Sequence, residues 1–216
     1  MHKFDPLNLS RHLPSATFVL LILLVLAGFA GVFIYIGAYN IAADAPHWKW
    51  VYSTLDTVRE QSIAARSRDI KAPADLNDPK RIAAGAGLYQ EMCTGCHLGP
   101  GLERSEMSQG LYPPAPELAR GIGHTPEQAF WIIKHGVKLS AMPAWGKTHD
   151  DQLIWDMVAF IRQLPRMSPE QYKAAVASAP ESHEEMMEGM AGNAGEHGTA
   201  SQPHTHVAGD AREHHH

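Results

Sequence analysis

Cys93, Cys96 and His97 lie in the stretch YQEMCTGCHLGPG (89–101). They include the only two cysteines of a 216-residue chain, three positions apart, with a histidine directly after the second. Few chemistries use cysteines this close. A disulfide between them would close a very small loop and staple little. A thioredoxin-like redox pair needs a βαβ context, which the flanking sequence lacks. A tetrahedral zinc site needs two further ligands at close spacing, and there is no second Cys pair. The order C-x-x-C-H fits covalent attachment of one haem c. Two thiols on one helical turn can each form a thioether with a vinyl group along a porphyrin edge. The adjacent imidazole of His97 then meets the iron from the same side.

The other axial position of the iron has several candidates: Met92, Met107, Met142, Met157, Met167, His124, His135 and His149. Met92 directly precedes the cysteines and cannot reach round to the far side. Met157 belongs to the apolar face of a helix, where filling a core is the ordinary role of methionine. Met142 sits in the loop VKLSAMPAWGK (137–147), between two helical patterns and followed by Pro143. A loop so braced can bring a thioether to the iron opposite His97, which makes Met142 the first candidate. Ligation by a second histidine, His135 or His124, is the rival. A thioether gives a higher reduction potential than a second imidazole.

These residues need elements to position them. Residues 13–43 contain no Lys, Arg, Asp, Glu or His, and 17–39 are an almost unbroken apolar run. At 1.5 Å per residue such a run spans roughly 35 Å, enough to cross a bilayer core of about 30 Å with some tilt. A cleaved signal peptide would have an apolar region of only ~7–15 residues. Lys3 and Arg11 precede the run and Asp44 follows it, so the positive-inside rule keeps the N-terminus in the cytoplasm and exports the rest. In a bacterium that is the periplasmic face. Residues 46–71 read as a helical stalk whose apolar stripe is Trp48, Val51, Leu55, Val58 and Ile63. Trp48, Trp50 and Tyr52 suit the membrane–water layer; docking onto a membrane partner is the alternative.

Beyond a linker at 72–79, Asp78 and Pro79 open a helix that runs through RIAAGAGLYQEM into the cysteines. Residues 98–123 are rich in Gly and Pro and read as loop. TPEQ (125–128) and SPEQ (168–171) are capping-box patterns. Thr148 with Asp151 is taken as the cap of the helix over DQLIWDMVAFIRQL, which buries Leu153, Met157, Phe160, Ile161 and Leu164. No strand pattern of useful length occurs, so the expected fold class is all-α. The tail from 180 is small, polar and Gly-rich, and is expected to be disordered.

Net charge is −5. The imbalance lies in the tail, where residues 178–216 hold one Arg against seven acids. There is no basic field of the kind that binds nucleic acid. Lys134, Lys138 and Lys147 flank the Met142 loop with no acid between Phe130 and Thr148. They could form a basic rim that meets an acidic patch on a redox partner. The tail carries His183, His197, His204, His206, His214, His215 and His216 with Met186, Met187 and Met190. Imidazole and thioether suit copper, so copper handling is a further reading of the tail; His214–His216 also look like an engineered remnant.

Residues ~76–165 resemble class I cytochrome c, in particular short single-haem bacterial domains. The pattern G-x-x-x-Y-x-x-x-C-x-x-C-H falls on Gly85, Tyr89, Cys93, Cys96 and His97, MPAWG on Met142–Gly146, and VAFIRQL on the family's last helix, with Phe160 as its aromatic. The resemblance implies that the first and last helices cross closely, with Gly85 admitting Phe160. It implies a loop proline whose carbonyl accepts from the axial His, for which Pro116 is the best match among Pro100, Pro113, Pro114 and Pro116. It places Trp145 near the haem.

The resulting layout is 1–12 cytoplasmic, 13–43 transmembrane anchor, 44–74 stalk and linker, 75–166 haem domain, 167–179 short helix and 180–216 tail. A domain of ~90 residues is small for a self-sufficient core, so haem is expected to supply apolar mass and the haem-free chain to be largely unfolded. With both axial positions filled the expected role is one-electron transfer, not catalysis. The chain would be tethered to the inner membrane with its haem domain in the periplasm. It would take electrons from a quinol-oxidising complex or dehydrogenase and pass them to a terminal oxidase. The alternative is a fixed haem subunit of a larger respiratory or dehydrogenase complex.

Overall fold

The computed structural model describes residues 15–180. These are helical, with no strand among them: α1 (Ala16–Tyr35), α2 (Lys49–Arg66), α3 (Pro79–Met92), α4 (Thr94–His97), α5 (Glu106–Gly110), α6 (Pro126–His135), α7 (Asp151–Ile161) and α8 (Pro169–Ala177). The expected tail, with its histidines and methionines, and the expected cytoplasmic segment 1–12 lie outside the described residues.

α1 is apolar along its whole length and buries none of its residues within the protein. A core helix would be covered; this one presents hydrocarbon on every side. Its 20 residues correspond to ~30 Å, the thickness of a bilayer core. The helix is shorter than the apolar run, because the chain turns at Ile36 and Gly37.

Caps fix where the remaining helices start. Asp78 accepts from the Lys80 N–H ahead of Pro79. Thr125/Gln128 and Ser168/Gln171 form complete capping boxes. The α7 cap differs from the expected one. Asp150, not Thr148, accepts from the Leu153 N–H at 3.0 Å. The Thr148 hydroxyl is turned toward His149 Nδ1 and the Trp145 carbonyl instead.

α3 and α7 cross to form the centre of the core. Leu88, Tyr89, Ile154, Met157, Val158 and Phe160 are fully buried between them. The crossing is close because α3 has no side chain at Gly85, where the α7 backbone passes. Tyr89 stacks at a tilt against Phe160, centroids 5.5 Å apart, and donates its hydroxyl to the Leu98 carbonyl at 2.5 Å. α8 folds back onto this centre. Its Tyr172 is buried against both rings and donates to Gln90 Oε1.

The stalk expected over 46–71 is α2, and it does not stand apart from the helical body. It packs against α6, buries Ile63 and pairs Glu60 with His124. The face it turns inward carries Tyr52 and, about two to three turns further along the same side, Glu60 and Ile63. Leu55 and Val58 of the expected apolar stripe stay exposed. Trp48 closes on Phe33 and Tyr39 at 6.2 and 5.0 Å, so it joins α1 to α2. His47 completes the connection: its ring meets the Tyr39 hydroxyl at 2.6 Å, and its N–H donates to the Tyr112 hydroxyl.

Candidate cofactor site

α3 delivers the cysteines. Cys93 ends α3 and starts the single turn α4, and its carbonyl accepts from the N–H groups of Cys96 and His97. One turn of backbone therefore holds both thiols and the imidazole as a unit. The cysteines are free and do not form a disulfide. Cys93 is buried, and burial, with the neighbouring Cys96 adding to it, pushes its thiol up to about 12. It is a thiol and not a thiolate at neutral pH.

The His97 imidazole is drawn below its usual pKa by burial, against the opposing effect of a hydrogen bond to Pro116. Nδ1 lies 2.9 Å from the Pro116 carbonyl. A neutral imidazole that donates from Nδ1 keeps a lone pair on Nε2, the arrangement a metal-binding histidine requires. Among the four prolines considered, Pro116 is the one whose carbonyl meets His97.

Met142 is placed by the loop after α6. α6 ends at Gly136, whose φ of +65° and lack of a side chain let the loop return over the helix end. A Cβ there would lie 2.7 Å from both the Met142 carbonyl oxygen and the Pro143 carbonyl carbon. The Val137 N–H donates to the Met142 carbonyl, and the Met142 N–H donates to the Ser140 hydroxyl. The loop is thus tied at both ends of the methionine.

Cys93, Cys96, His97, Pro116, Met142 and Trp145 all line one cavity of about 470 Å³. Its volume is in the range of pockets that bury a cofactor. The remaining walls are mainly apolar, among them Leu118, Ile122, Ile133 and Ile161. Two thiols, an imidazole and a thioether converging on an apolar cavity are the donor set that a covalently held haem needs.

The rivals of Met142 separate on position. His124 also lines the cavity, but its Nε2 is engaged by Glu60 at 3.1 Å. His135 is exposed, with its ring tilted against that of Trp131. Met157 is sealed in the core and Met167 packs beside it. Met107 lies on the surface with its sulfur 3.4 Å from that of Cys96. His149 is buried against Trp145. Met92 touches the cavity from the position just before Cys93.

Tyr52, Arg59 and Glu60 of α2 line the same cavity, and the sequence reading missed them. Their spacing of seven and eight residues was visible as a helical face, but it competed with the more apolar stripe a fraction of a turn away. The basic rim is also reduced. Lys134 pairs with Asp151 at 2.5 Å and lies over the Phe130 ring. That leaves Lys138 and Lys147 as the exposed pair. Among the described residues no group of three or more His, Cys, Asp or Glu side chains could hold a separate metal ion.

No curated protein and no solved structure matches the chain. Residues 80–161, less than half of it, match the family described as cytochrome c oxidase, cbb3-type, subunit III. The matched segment contains both cysteines, His97, Pro116 and Met142, and the family implies a haem held through covalent bonds. The chain carries a c-type cytochrome domain and is an electron-transfer haem protein.

Proposed function

We propose that the chain is a membrane-tethered, single-haem cytochrome c of class I type, working in a respiratory chain. Cys93 and Cys96 would hold the haem by thioethers, and His97 and Met142 would bind its iron. The observation that carries this reading is the convergence of these four side chains on one apolar cavity. When bound, the group supplies an iron centre that takes up and releases one electron. The chain's own residues do the rest. Pro116 orients His97, Ser140 and Gly136 hold the Met142 loop, and the apolar walls keep water from the site. With both axial positions filled by side chains, no coordination site is left for a substrate, so the role is transfer and not catalysis.

α1 would anchor the protein in the inner membrane and leave the haem domain on the periplasmic side, in keeping with Lys3 and Arg11 ahead of the apolar run. The donor would be a quinol-oxidising complex or a dehydrogenase, and the acceptor a terminal oxidase. A second reading, a fixed subunit of a larger respiratory complex, draws support from α2. That helix ties the anchor to the haem body instead of leaving a loose tether. The oxidase named in the family description points the same way. A redox-titrated visible spectrum of the purified full chain tests the first point. A covalent haem with His/Met ligation is expected, and a colourless protein from cells able to mature c-type cytochromes overturns it. Isolation in mild detergent tests the second, since a carrier comes alone and a subunit brings partners.

A further inference from the structure

The cavity that receives the haem is closed on one side by α2, which precedes the matched segment 80–161. Any haem brings two propionate carboxylates. A carboxylate entering a largely apolar cavity needs a cation or several donors, because an unpaired charge there is costly. Among the described residues that line the cavity, Arg59 is the only lysine or arginine. Tyr52, seven residues earlier on the same side of α2, adds a hydroxyl.

The arginine is held in place already. Its Nε donates to Glu60 Oε1 at 3.1 Å and its Nη2 pairs with Asp56. A guanidinium has five N–H donors in a rigid plane, so both hydrogens of Nη1 are uncommitted. Glu60, the one carboxylate among the described residues of the cavity wall, is engaged by Arg59 and also by His124. Those hydrogen bonds, working against burial, hold Glu60 below the usual carboxylate range.

We propose that Arg59 is the counter-ion for a haem propionate, with the Tyr52 hydroxyl as a second donor, so that α2 is a wall of the haem site as well as the link to the anchor. This rests on the haem reading above. The preference for Arg over Lys follows from its five donors on a rigid plane, since Nε and Nη2 can stay on Glu60 and Asp56 while Nη1 donates to the propionate.

The test is the reduction potential of the full-length holoprotein from pH 5 to 8, for Arg59→Gln, Arg59→Lys, Tyr52→Phe and, as a control, Arg66→Gln. Arg66 is on the same helix but exposed, bonded to Ser62 and away from the cavity. Arg59→Gln is expected to lower the potential, since an uncompensated carboxylate favours the ferric state. It should also bring in a fall of potential with rising pH, because a propionate without its cation loses its proton at higher pH. Arg59→Lys should restore part of the loss, Tyr52→Phe should give a smaller shift of the same sign, and Arg66→Gln should give none. Coincidence of the Arg59→Gln and unsubstituted curves overturns the proposal. So does an equal shift from Arg66→Gln without a change of pH profile, which is charge acting through space. A preparation without covalent haem instead overturns the functional reading underneath.

Discussion

Gly85 of α3 lies directly against the Asp156 carbonyl of α7. A side-chain carbon on residue 85 would overlap that oxygen and stand 2.9 Å from Phe160 Cβ. The expectation that Gly85 makes room for Phe160 therefore holds in a modified form. The nearer obstacle is the α7 backbone, which unlike a side chain cannot rotate aside.

Gly85→Ala tests this contact. Alanine in mid-helix should gain ~1 kcal/mol over glycine. Here the overlap forces the helices apart, and such overpacking costs about 1–3 kcal/mol or more. A lower denaturant midpoint is expected for the holoprotein. A rise would mean that the helices do not cross so closely.

Met142→His should lower the reduction potential, because an imidazole replaces the thioether that favours ferrous iron. Met142→Ala should leave an axial position able to bind added imidazole, read as a change in the visible spectrum. If neither variant alters potential or spectrum, Met142 is not a ligand, and His124 becomes the next residue to substitute.

Asp156 gives a pH dependence whose sign can be worked out. Arg81 is shared between exposed Asp75 and buried Asp156, at 2.9 and 2.5 Å. One cation cannot satisfy two carboxylates equally, and burial decides between them. Asp156 is pushed up to about 6, partly relieved by Arg81, whereas Asp75 is held below its usual value by its bond to Arg81. Unfolded Asp titrates near 3.9, so between about pH 4 and 6 the folded state binds the extra proton. Stability from this group is present below that window and is lost as pH rises through it. The loss is on the order of 3 kcal/mol. Asp156→Asn should flatten this part of the curve in denaturant titrations at successive pH values.

The basic surface beside the Met142 loop now rests on Lys138 and Lys147. Charge reversal at both should slow electron transfer to an acidic partner at low salt, with the difference shrinking as salt screens the encounter. Lys134→Gln should have a smaller effect, because Asp151 already neutralises that ammonium. Stopped-flow transfer rates that are independent of salt would remove the surface from the mechanism.

The sequence by itself determined the local features, because each is set by residues adjacent along the chain. The C-x-x-C-H turn needs only one helical turn to gather its three side chains. Helix starts at Asp78, Thr125 and Ser168 are written as cap residues, and α1 as unbroken hydrophobicity. Thr148 against Asp150 shows the limit of that legibility. Both residue types can cap, and the choice went to Asp150 once Thr148 had bonded to Trp145 and His149.

Tertiary structure alone decided which distant residues meet. It brought the Pro116 carbonyl, and not that of a neighbouring proline, to His97. It put Tyr172 of α8 into the same core as Tyr89 and Phe160. It turned the Tyr52–Arg59 side of α2 toward the cavity lined by Cys93 and His97 while leaving the more apolar Leu55 and Val58 outside. Hydrophobic periodicity reports how much apolar surface a helix carries. It does not report which partner surface offers a hydrogen bond such as that between His124 and Glu60, and here that contact accompanies the choice of face.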